Sequence, residues 1–594
     1  MKVGANLVSS KQGVFKVWAP FRTIVQVLFP DRPVSNQLFE MTKDEMGYWT
    51  SLPLDIQVGE AYLYVLDKEL QRPDPASRLQ KDTVHGPSVI VDESRLKSLS
   101  EVLNTNRPWK NRPFEEYIIY ELHIGSFTPE GTLESAITRL DHLLDLGINA
   151  VELLPLAQFP GGRNWGYDGV LPYAVQNTYG GPEALARFVK ACHDKDIAVI
   201  GDVVYNHFGP EGNYLSQFGP YFSEKYQTPW GGAVNYDGEH SDPVREYVIN
   251  NALFWFEVFG FDALRMDAIH AIYDYGANHL LKEMEQRVEE LSRQKGSPHY
   301  LIAESALNDK KILESREKGG YQLRAQWLDD YHHCLHVVLT GEVTGYYADY
   351  KGLESLTKTL SDGYVLQWQY SPFFKRHYGG DAVGVSPSSF VVFSQNHDMV
   401  GNRMLGDRLC HNLKEGPLKM AAALVILSPY VPFLFMGEEF ASSSPFPYFV
   451  SHGDQNLNRL VEAGRKEEFA YFLDQGEPPT PHKESTFLSA KLNWSEVQES
   501  FHKVMLEWYK KLIQLRKAER VFTKCRYRKA QLLRDQFLHL RLQDEGVGSL
   551  DLYFNLSDEM TSEELNSQNW TFQPWSTIVF NTQKVVFSEG VTTQ

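Results

Sequence analysis

One repeating unit dominates this chain and most constrains its fold: an apolar strand-like run, a loop and then an amphipathic helix. The run YIIYELHI (117–124) precedes the helical segment 132–147, which ends in glycine, a residue typical of helix C-caps. The unit returns with the strand-like run 148–155 and the helical segment 180–195. Repeated β/α units over about 400 residues predict a (β/α)8 TIM barrel with insertions, which we place at residues 114–518. Further strand-like runs lie at 197–204, 261–267, 300–305, 390–398 and 430–439.

Both flanks of the predicted barrel carry short β-rich runs bounded by turn residues. The first flank predicts an N-terminal β-sandwich over residues 1–95, of the immunoglobulin-like E-set type. A polar, proline-containing linker is expected at 96–113, and a C-terminal antiparallel β domain at 519–594. The sequence therefore predicts a multidomain α/β chain. The β-rich runs lie at 13–29, 59–68, 537–543 and 549–555.

Charge and cysteine content exclude some classes of function. The formal net charge of -18 argues against a nucleic-acid partner, which usually requires a basic face. The four cysteines lie far apart without a CxxC pair, so we expect free thiols in a reducing, cytoplasmic compartment. No apolar core of a signal peptide begins the sequence. The most apolar stretch, Met420–Met436, holds two prolines and is shorter than the ~20 residues of a membrane span, so we expect a helix, a proline turn and a buried strand.

Polar residues follow four of the predicted strands, at the barrel end that carries function in this fold. A single aspartate after a strand is more often a helix N-cap than a catalytic group. Four such segments in one barrel are much less expected by chance, and we infer that they form one site. The candidates are Asp202, Asn206, His207, Arg265, Asp267, His270, Glu304, His397 and Asp398.

The chemistry that fits these residues is glycoside hydrolysis, which uses one protonated and one ionised carboxyl group on either side of the bond. Arg265 lies two residues before Asp267, so both side chains share one strand face and the positive charge favours the ionised form of Asp267. Glu304 ends an apolar strand, where burial would raise the pKa of its carboxyl group and suit it to the role of acid.

The four segments resemble the signature regions of the α-amylase family of glycoside hydrolases. They are DVVYNH (202–207), FDALRMDAIH (261–270), IAES (302–305) and FSQNHD (393–398). The family retains the anomeric configuration of its substrate, which implies a separation of about 5–5.5 Å between the two reacting carboxyl groups.

The resemblance also implies a role for each residue. Asp267 would be the nucleophile, Glu304 the acid/base and Asp398 the stabiliser of the transition state. No cofactor or metal is expected, although Asn206 resembles a calcium-ligating asparagine of many amylases. The cleaved glucose unit would be lined by Asp202, His207, Arg265 and His397, with Tyr167 of the segment NWGYDG as the stacking aromatic residue.

A finer resemblance, to a trehalose-releasing subfamily, covers roughly residues 10 to 520. It implies hydrolysis of the α-1,4 bond between a maltooligosaccharide and the terminal trehalose of maltooligosyltrehalose, and a maltooligosyltrehalose synthase as pathway partner. We expect the loops that hold His270, Asn308 and Asp309 to accept the trehalose end. The segments that carry the resemblance are 161–193, 202–215, 329–350, 394–403 and 491–496.

Four questions remain open at this level. A glycogen branching or debranching enzyme shares the sandwich and barrel, but Met399 follows Asp398 where a branching enzyme would carry an acidic residue. A non-enzymatic binding barrel would normally have lost the carboxylates. The histidines at 332, 333 and 336 match metal-ligand spacing, yet sugar binding or packing fits them better. Trp165 and the pair at 373–374 are either sugar platforms or loop packing.

Overall fold

The computed structural model of the protein describes residues 2–102, 108–468, 477–582 and 584–593. The N-terminal region forms a nine-stranded antiparallel sheet system around a core that includes Phe15, Trp18 and Tyr64. Its strands are Gly4–Ser9, Gln12–Trp18, Val25–Leu28, Leu38–Lys43, Tyr48–Ser51, Leu54–Asp55, Ala61–Leu66, Leu70–Arg72 and Ser88–Val89.

The segment predicted as a linker begins as a helix. Glu93–Ser100 is helical because Asp92 accepts hydrogen bonds from the amides of Ser94 and Arg95, which caps the first turn, and Leu96 is buried. The predicted linker at 96–113 is therefore partly helical, and its residues 103–107 lie outside the described part of the chain.

Eight parallel strands close into the predicted barrel, in chain order around the ring. All eight are fully buried runs except for the first residue of one strand, as expected for parallel strands covered by helices. The strands are β1 (Ile119–Leu122), β2 (Ala150–Leu153), β3 (Ala198–Val203), β4 (Ala263–Met266), β5 (Tyr300–Ala303), β6 (Ala325–Trp327), β7 (Phe390–Val392) and β8 (Val431–Phe435).

Helices connect the strands and differ from expectation in one place. The segment predicted as a single helix at 132–147 breaks at Thr138 and Arg139 into two short helices, the second ending at Gly147. The apolar stretch near the end of the barrel gives a helix and a buried strand, as predicted. The main helices are Leu133–Ile137, Leu140–Leu146, Gly181–Asp194, Ser241–Phe254, Leu280–Lys295, Asp329–Thr340, Leu353–Asp362, Glu415–Ile426, Gln455–Glu468 and Ser500–Ala518.

Insertions add three two-stranded hairpins to the loops of the barrel, and a six-stranded antiparallel sheet ends the chain. None of the described helices is both long and apolar enough to span a membrane. The hairpins pair Ala157–Gln158 with Leu171–Val175, Phe222–Thr228 with Gly231–Val234, and Gln369–Ser371 with Arg376–Tyr378. The final sheet contains Tyr527–Arg534, Phe537–Asp544, Gly548–Asn555, Thr561–Leu565, Gln568–Asn581 and Lys584–Thr593.

The interior of the barrel is filled by apolar side chains at one end and by charged side chains at the other. Ile119, Ile200, Ile302 and Phe433 belong to one buried cluster within the ring. Because side chains alternate along a strand, the residues two positions further along also face inward. Those positions include Glu121, Asp202 and Glu304. The site therefore lies directly above the apolar packing.

Two glycines end helices of the barrel, and their substitution measures how much stability depends on a left-handed backbone conformation. Gly147 and Gly260 both have positive φ values, of 99° and 74°. Gly260→Ala should destabilise by about 1–2 kcal/mol, because a left-handed alanine is strained. Gly147→Ala should destabilise more, because its Cβ would also lie 2.6 Å from Ile513 Cγ2. Thermal unfolding of both variants measures this order; an equal loss would contradict the packing explanation.

Candidate active site

The structure brings the polar segments of four strands together at the carboxyl end of the barrel. Asp202 and Arg265 are register partners on β3 and β4. Asp267 follows β4, Glu304 follows β5, and Asp398 lies in the first turn of the helix His397–Gly401 after β7. One site therefore contains residues that are separated by up to 196 positions in the sequence, from Asp202 to Asp398.

A fully buried guanidinium lies at the centre of this site. Arg265 Nη1 donates to Asp202 Oδ2 at 2.7 Å and to Asp267 Oδ1 at 3.0 Å. Its Nη2 forms an ion pair with Glu304 Oε2 at 3.2 Å. The prediction that Arg265 lies beside Asp267 is confirmed, and the contact with Glu304 adds that the two carboxyl groups predicted to react share one cation. A positive charge at this distance favours the ionised form of a carboxyl group.

Glu304 has the environment of a general acid. Burial raises the pKa of its carboxyl group to about 7, against the lowering effect of the Arg265 charge. The amide of Ala268 donates to Glu304 Oε2, and the amide of Ile269 donates to the Glu304 carbonyl. Ala268 has a φ of 37°, a left-handed conformation that is unfavourable for alanine and that aims its amide at the carboxyl group. The predicted direction of the Glu304 pKa is confirmed.

A hydrogen-bonded chain runs beside the carboxylates. His397 donates through its backbone amide and Nδ1 to the two oxygens of Glu121, at 2.8 and 2.5 Å. Burial lowers the pKa of His397, but the Glu121 and Asp398 charges raise it overall to about 9. His397 is therefore an imidazolium at neutral pH, and its Nε2 donates to the Tyr167 hydroxyl at 2.7 Å. Tyr167 in turn donates to Asp202 Oδ2 at 2.6 Å.

Asp202 is the second carboxyl group whose environment changes its titration. Burial raises the pKa of Asp202 to about 6, although Arg265 opposes this effect. The side chain of Asp398 is 37% exposed and accepts a hydrogen bond from Asn402 Nδ2 at 3.2 Å. The exposed carboxylate faces the open end of the barrel, where a sugar could reach it.

The remaining predicted residues divide into those at the mouth and those that support it. His207 contacts the Tyr167 carbonyl and Asn206 Oδ1, and its ring stacks on Trp230 at 4.8 Å between centroids. His270 is exposed on a short 3-10 helix after Asp267. Trp165 is buried, donates to Pro447 and packs edge-on against His397, which fits packing rather than a sugar platform.

The loop after Glu304 is stabilised by hydrogen bonds of its own buried and capping side chains. Asn308 is buried in a left-handed conformation, and its amide donates to Asp330 Oδ2 at 2.8 Å and to the Leu366 carbonyl at 3.3 Å. Asp309 is exposed and accepts from the amide of Lys311, which caps the 3-10 helix Lys310–Ile312. Both side chains thus shape the loop, and their predicted contact with a sugar stays a prediction.

The histidines with metal-like spacing each have another partner. His332 contacts the Ser394 carbonyl, His333 the Tyr350 hydroxyl and His336 a carboxylate of the following loop. Within the described ranges, no group of three or more His, Cys, Asp or Glu side chains is arranged to hold a metal ion. The packing role weighed for these histidines fits their contacts.

Sequence reasoning missed two glutamates inside the barrel. Glu121 and Glu152 are register partners on β1 and β2, both 1% exposed. Neither oxygen of Glu152 has a hydrogen-bond partner among the described residues, and burial, then the Glu121 charge, raise its pKa well above the usual range. A carboxylate inside an otherwise apolar strand run, as in YIIYELHI, is the signal that would have found them.

The closed barrel, the shared arginine and the three carboxyl groups define a glycoside hydrolase of the α-amylase type. The family model for the alpha-amylase catalytic domain matches residues 93–228. Curated proteins named malto-oligosyltrehalose trehalohydrolase are 42% identical over 503 residues in Saccharolobus solfataricus and 45% identical over 507 residues in Arthrobacter ramosus. The alignments cover 85% of this chain in both cases, and 85% and 87% of those relatives. The chain belongs to the malto-oligosyltrehalose trehalohydrolase family.

Solved structures show the same architecture. A crystal structure of an alpha-amylase-type protein from Salmonella typhimurium superposes with a TM-score of 0.88 at 34% identity, covering 97% of this chain and 99% of that one. A pullulanase from Anoxybacillus shares the fold with a TM-score of 0.71 at 19% identity, covering 100% and 87% of the two chains. The predicted fold class is thereby confirmed.

The charge of His397 should depend on Glu121. In Glu121→Gln the pKa of His397 is expected to fall from about 9 by about 1–3 pH units, because its nearest carboxylate is removed. Nitrogen-15 NMR of the histidine rings, assigned with His397→Gln, measures the titration. Glu354→Gln, at an exposed helical position, is the control. An unchanged His397 titration would show that Glu121 does not set this charge.

Proposed function

We propose that this chain hydrolyses the α-1,4-glucosidic bond next to the terminal trehalose of maltooligosyltrehalose and releases trehalose. The relatives that are 42–45% identical carry the name of that activity. The observation that carries the chemistry is the Arg265 guanidinium, which contacts Asp267 and Glu304 at once. Two carboxyl groups around one buried cation are close enough to act on a single glycosidic bond.

In this proposal the two groups take different roles because their environments differ. Asp267, whose carboxylate accepts a hydrogen bond from Arg265, attacks the anomeric carbon. Glu304 protonates the departing oxygen of trehalose, and after water enters it removes a proton to complete the reaction with retention of configuration. Asp398 stabilises the positive charge that develops on the sugar ring.

The supporting residues hold the cleaved glucose unit. The half-buried ring of Tyr167 offers the stacking face, and its hydroxyl is fixed between His397 and Asp202. His207 and Arg265 complete this wall, and His270 lies on the side where the released sugar would leave. A site built from fixed donors orients the substrate without reorganising during the reaction.

The setting of this reaction follows from its substrate. A maltooligosyltrehalose synthase would have to supply it, which makes that enzyme the pathway partner, and no metal or cofactor takes part in the proposed steps. We place the protein in the cytoplasm, in agreement with the four free thiols Cys192, Cys334, Cys410 and Cys525.

Product analysis separates this function from its nearest rival. A 1,4-alpha-glucan branching enzyme from Bacillus caldolyticus is 28% identical over 469 residues, covering 72% of this chain and 64% of that protein. Purified protein incubated with maltooligosyltrehalose should release trehalose, and incubated with amylose should form no α-1,6 linkages, both measured by proton NMR. New α-1,6 linkages would establish branching instead.

Each proposed catalytic carboxyl group should be indispensable. Asp267→Asn removes the nucleophile and Glu304→Gln removes the acid, so each should lower kcat by about 10²–10⁴-fold or more. The isosteric amides preserve shape, and circular dichroism and melting temperature report whether the fold is intact. Substantial turnover by either variant would show that the role is wrongly assigned.

The pH dependence of kcat/KM should follow the titration of Glu304. Its pKa of about 7 means that the acid form prevails below pH 7 and is lost above it. The wild-type kcat/KM for maltooligosyltrehalose should therefore fall about tenfold for each pH unit above roughly 7. The residual activity of Glu304→Gln should lack this limb. A limb that persists in that variant would assign the titration to another group.

A further inference from the structure

A fourth carboxylate, Asp329, lies at the mouth of the site between two of the proposed catalytic groups. In the closed barrel β6 is the neighbour of β5 and of β7. Glu304 follows β5 and Asp398 opens the helix after β7. Two residues after the end of β6, Asp329 begins the helix Asp329–Thr340. Its position in the ring of strands therefore places it between Glu304 and Asp398.

The adjacent aspartate shows what a structural carboxylate looks like here. Asp330 is buried and accepts hydrogen bonds from the Tyr350 hydroxyl, Asn308 Nδ2 and the amides of Val365 and Leu366. It holds the loop after Glu304 in place. Asp330 thus has its hydrogen bonds filled by the fold.

Asp329 differs from its neighbour in every one of these respects. It is half-buried, and no group within residues 2–102, 108–468, 477–582 and 584–593 hydrogen-bonds its carboxylate. It lies two residues after Trp327, whose ring packs in the barrel interior under Arg265. It opens its helix without acting as the cap, because Leu328 occupies the capping position.

The charges that act on Asp329 come from the same site. Burial, and then the charges of Glu304, Asp330 and Asp398, raise the pKa of its carboxyl group. A partly desolvated carboxylate beside other carboxylates is unfavourable unless a donor hydrogen-bonds it. Sugar hydroxyl groups are such donors, and two neighbouring hydroxyl groups match the two oxygens of a carboxylate.

The side of the cleft decides which sugar would bind. Glu304 is proposed to protonate the departing oxygen, so the sugar next to it belongs to the released product. We propose that Asp329 accepts hydrogen bonds from hydroxyl groups of the released disaccharide and is a specificity-determining residue for the leaving group. This inference rests on the proposed function, because it takes the departing sugar to be trehalose.

Three measurements on Asp329→Asn test the inference: inhibition by trehalose, kcat/KM for maltooligosyltrehalose, and hydrolysis of a 4-nitrophenyl α-maltooligoside, whose leaving group is not a sugar. We expect the inhibition constant of trehalose to rise and kcat/KM for maltooligosyltrehalose to fall, each about tenfold or more. The aryl substrate should be hydrolysed at nearly the wild-type rate.

The control is Asp381→Asn, which makes the same carboxylate-to-amide change at an exposed residue paired with Lys310. It should leave all three measurements unchanged. If Asp329→Asn lowers the melting temperature markedly, Asp329→Ser is judged by the same measurements. Trehalose inhibition that is unchanged in Asp329→Asn, or an aryl rate that falls equally, would overturn the inference.

The two proposals fail in different ways. Wild-type protein that releases no trehalose from maltooligosyltrehalose would defeat the proposed function, and the inference with it. Wild-type protein that releases trehalose and is inhibited by it, beside an Asp329→Asn variant that is inhibited equally, would defeat only the role of Asp329.

Discussion

The catalytic end of the barrel depends on one ion-pair cluster, the guanidinium of Arg265 with Asp202, Asp267 and Glu304. Three ionised carboxylates within reach of one buried cation would leave excess negative charge in a desolvated site. The raised pKa values of Asp202 and Glu304 limit this charge, because a protonated group no longer repels its neighbours. The raised pKa of Glu304 also suits this group to the acid role proposed for it.

A second buried cation, the imidazolium of His397, extends this balance across the barrel. It lies between Glu121 on β1 and the Tyr167 hydroxyl. Because Tyr167 donates to Asp202 on β3, which accepts from Arg265 on β4, one series of hydrogen bonds joins these strands. The imidazolium of His397 donates to Glu121 and to the Tyr167 hydroxyl, and that hydroxyl donates to Asp202, so the direction of each of these hydrogen bonds is set. The orientation of the Tyr167 hydroxyl is therefore linked, through His397, to a glutamate on β1.

The sequence predicted those features of the barrel that follow from buried strands arranged in chain order. Parallel strands are apolar on both faces, so seven of the eight could be recognised as runs, and the ends of four of these located Asp202, Asp267, Glu304 and Asp398. The strand β6 was not recognised, because only three residues form it. Glu121 and Glu152 were not predicted as site residues, because a single carboxylate does not change the apolar character of a strand run. The helix break at Thr138 was not predicted, because the apolar residues of both short helices follow the same periodicity. The buried side-chain amide of Asn308 donates to Asp330, and a sequence pattern around Asn308 does not predict this contact because the two residues are far apart in the sequence.

The left-handed Ala268 has a consequence for how such enzymes can be recombined. Its amide and that of the next residue bind the side chain and the carbonyl of Glu304, so the ends of β4 and β5 are one structural module. Exchanging either loop alone between relatives changes one side of the contacts that align Asp267 with Glu304. A graft that transfers both segments together would keep both of these backbone contacts.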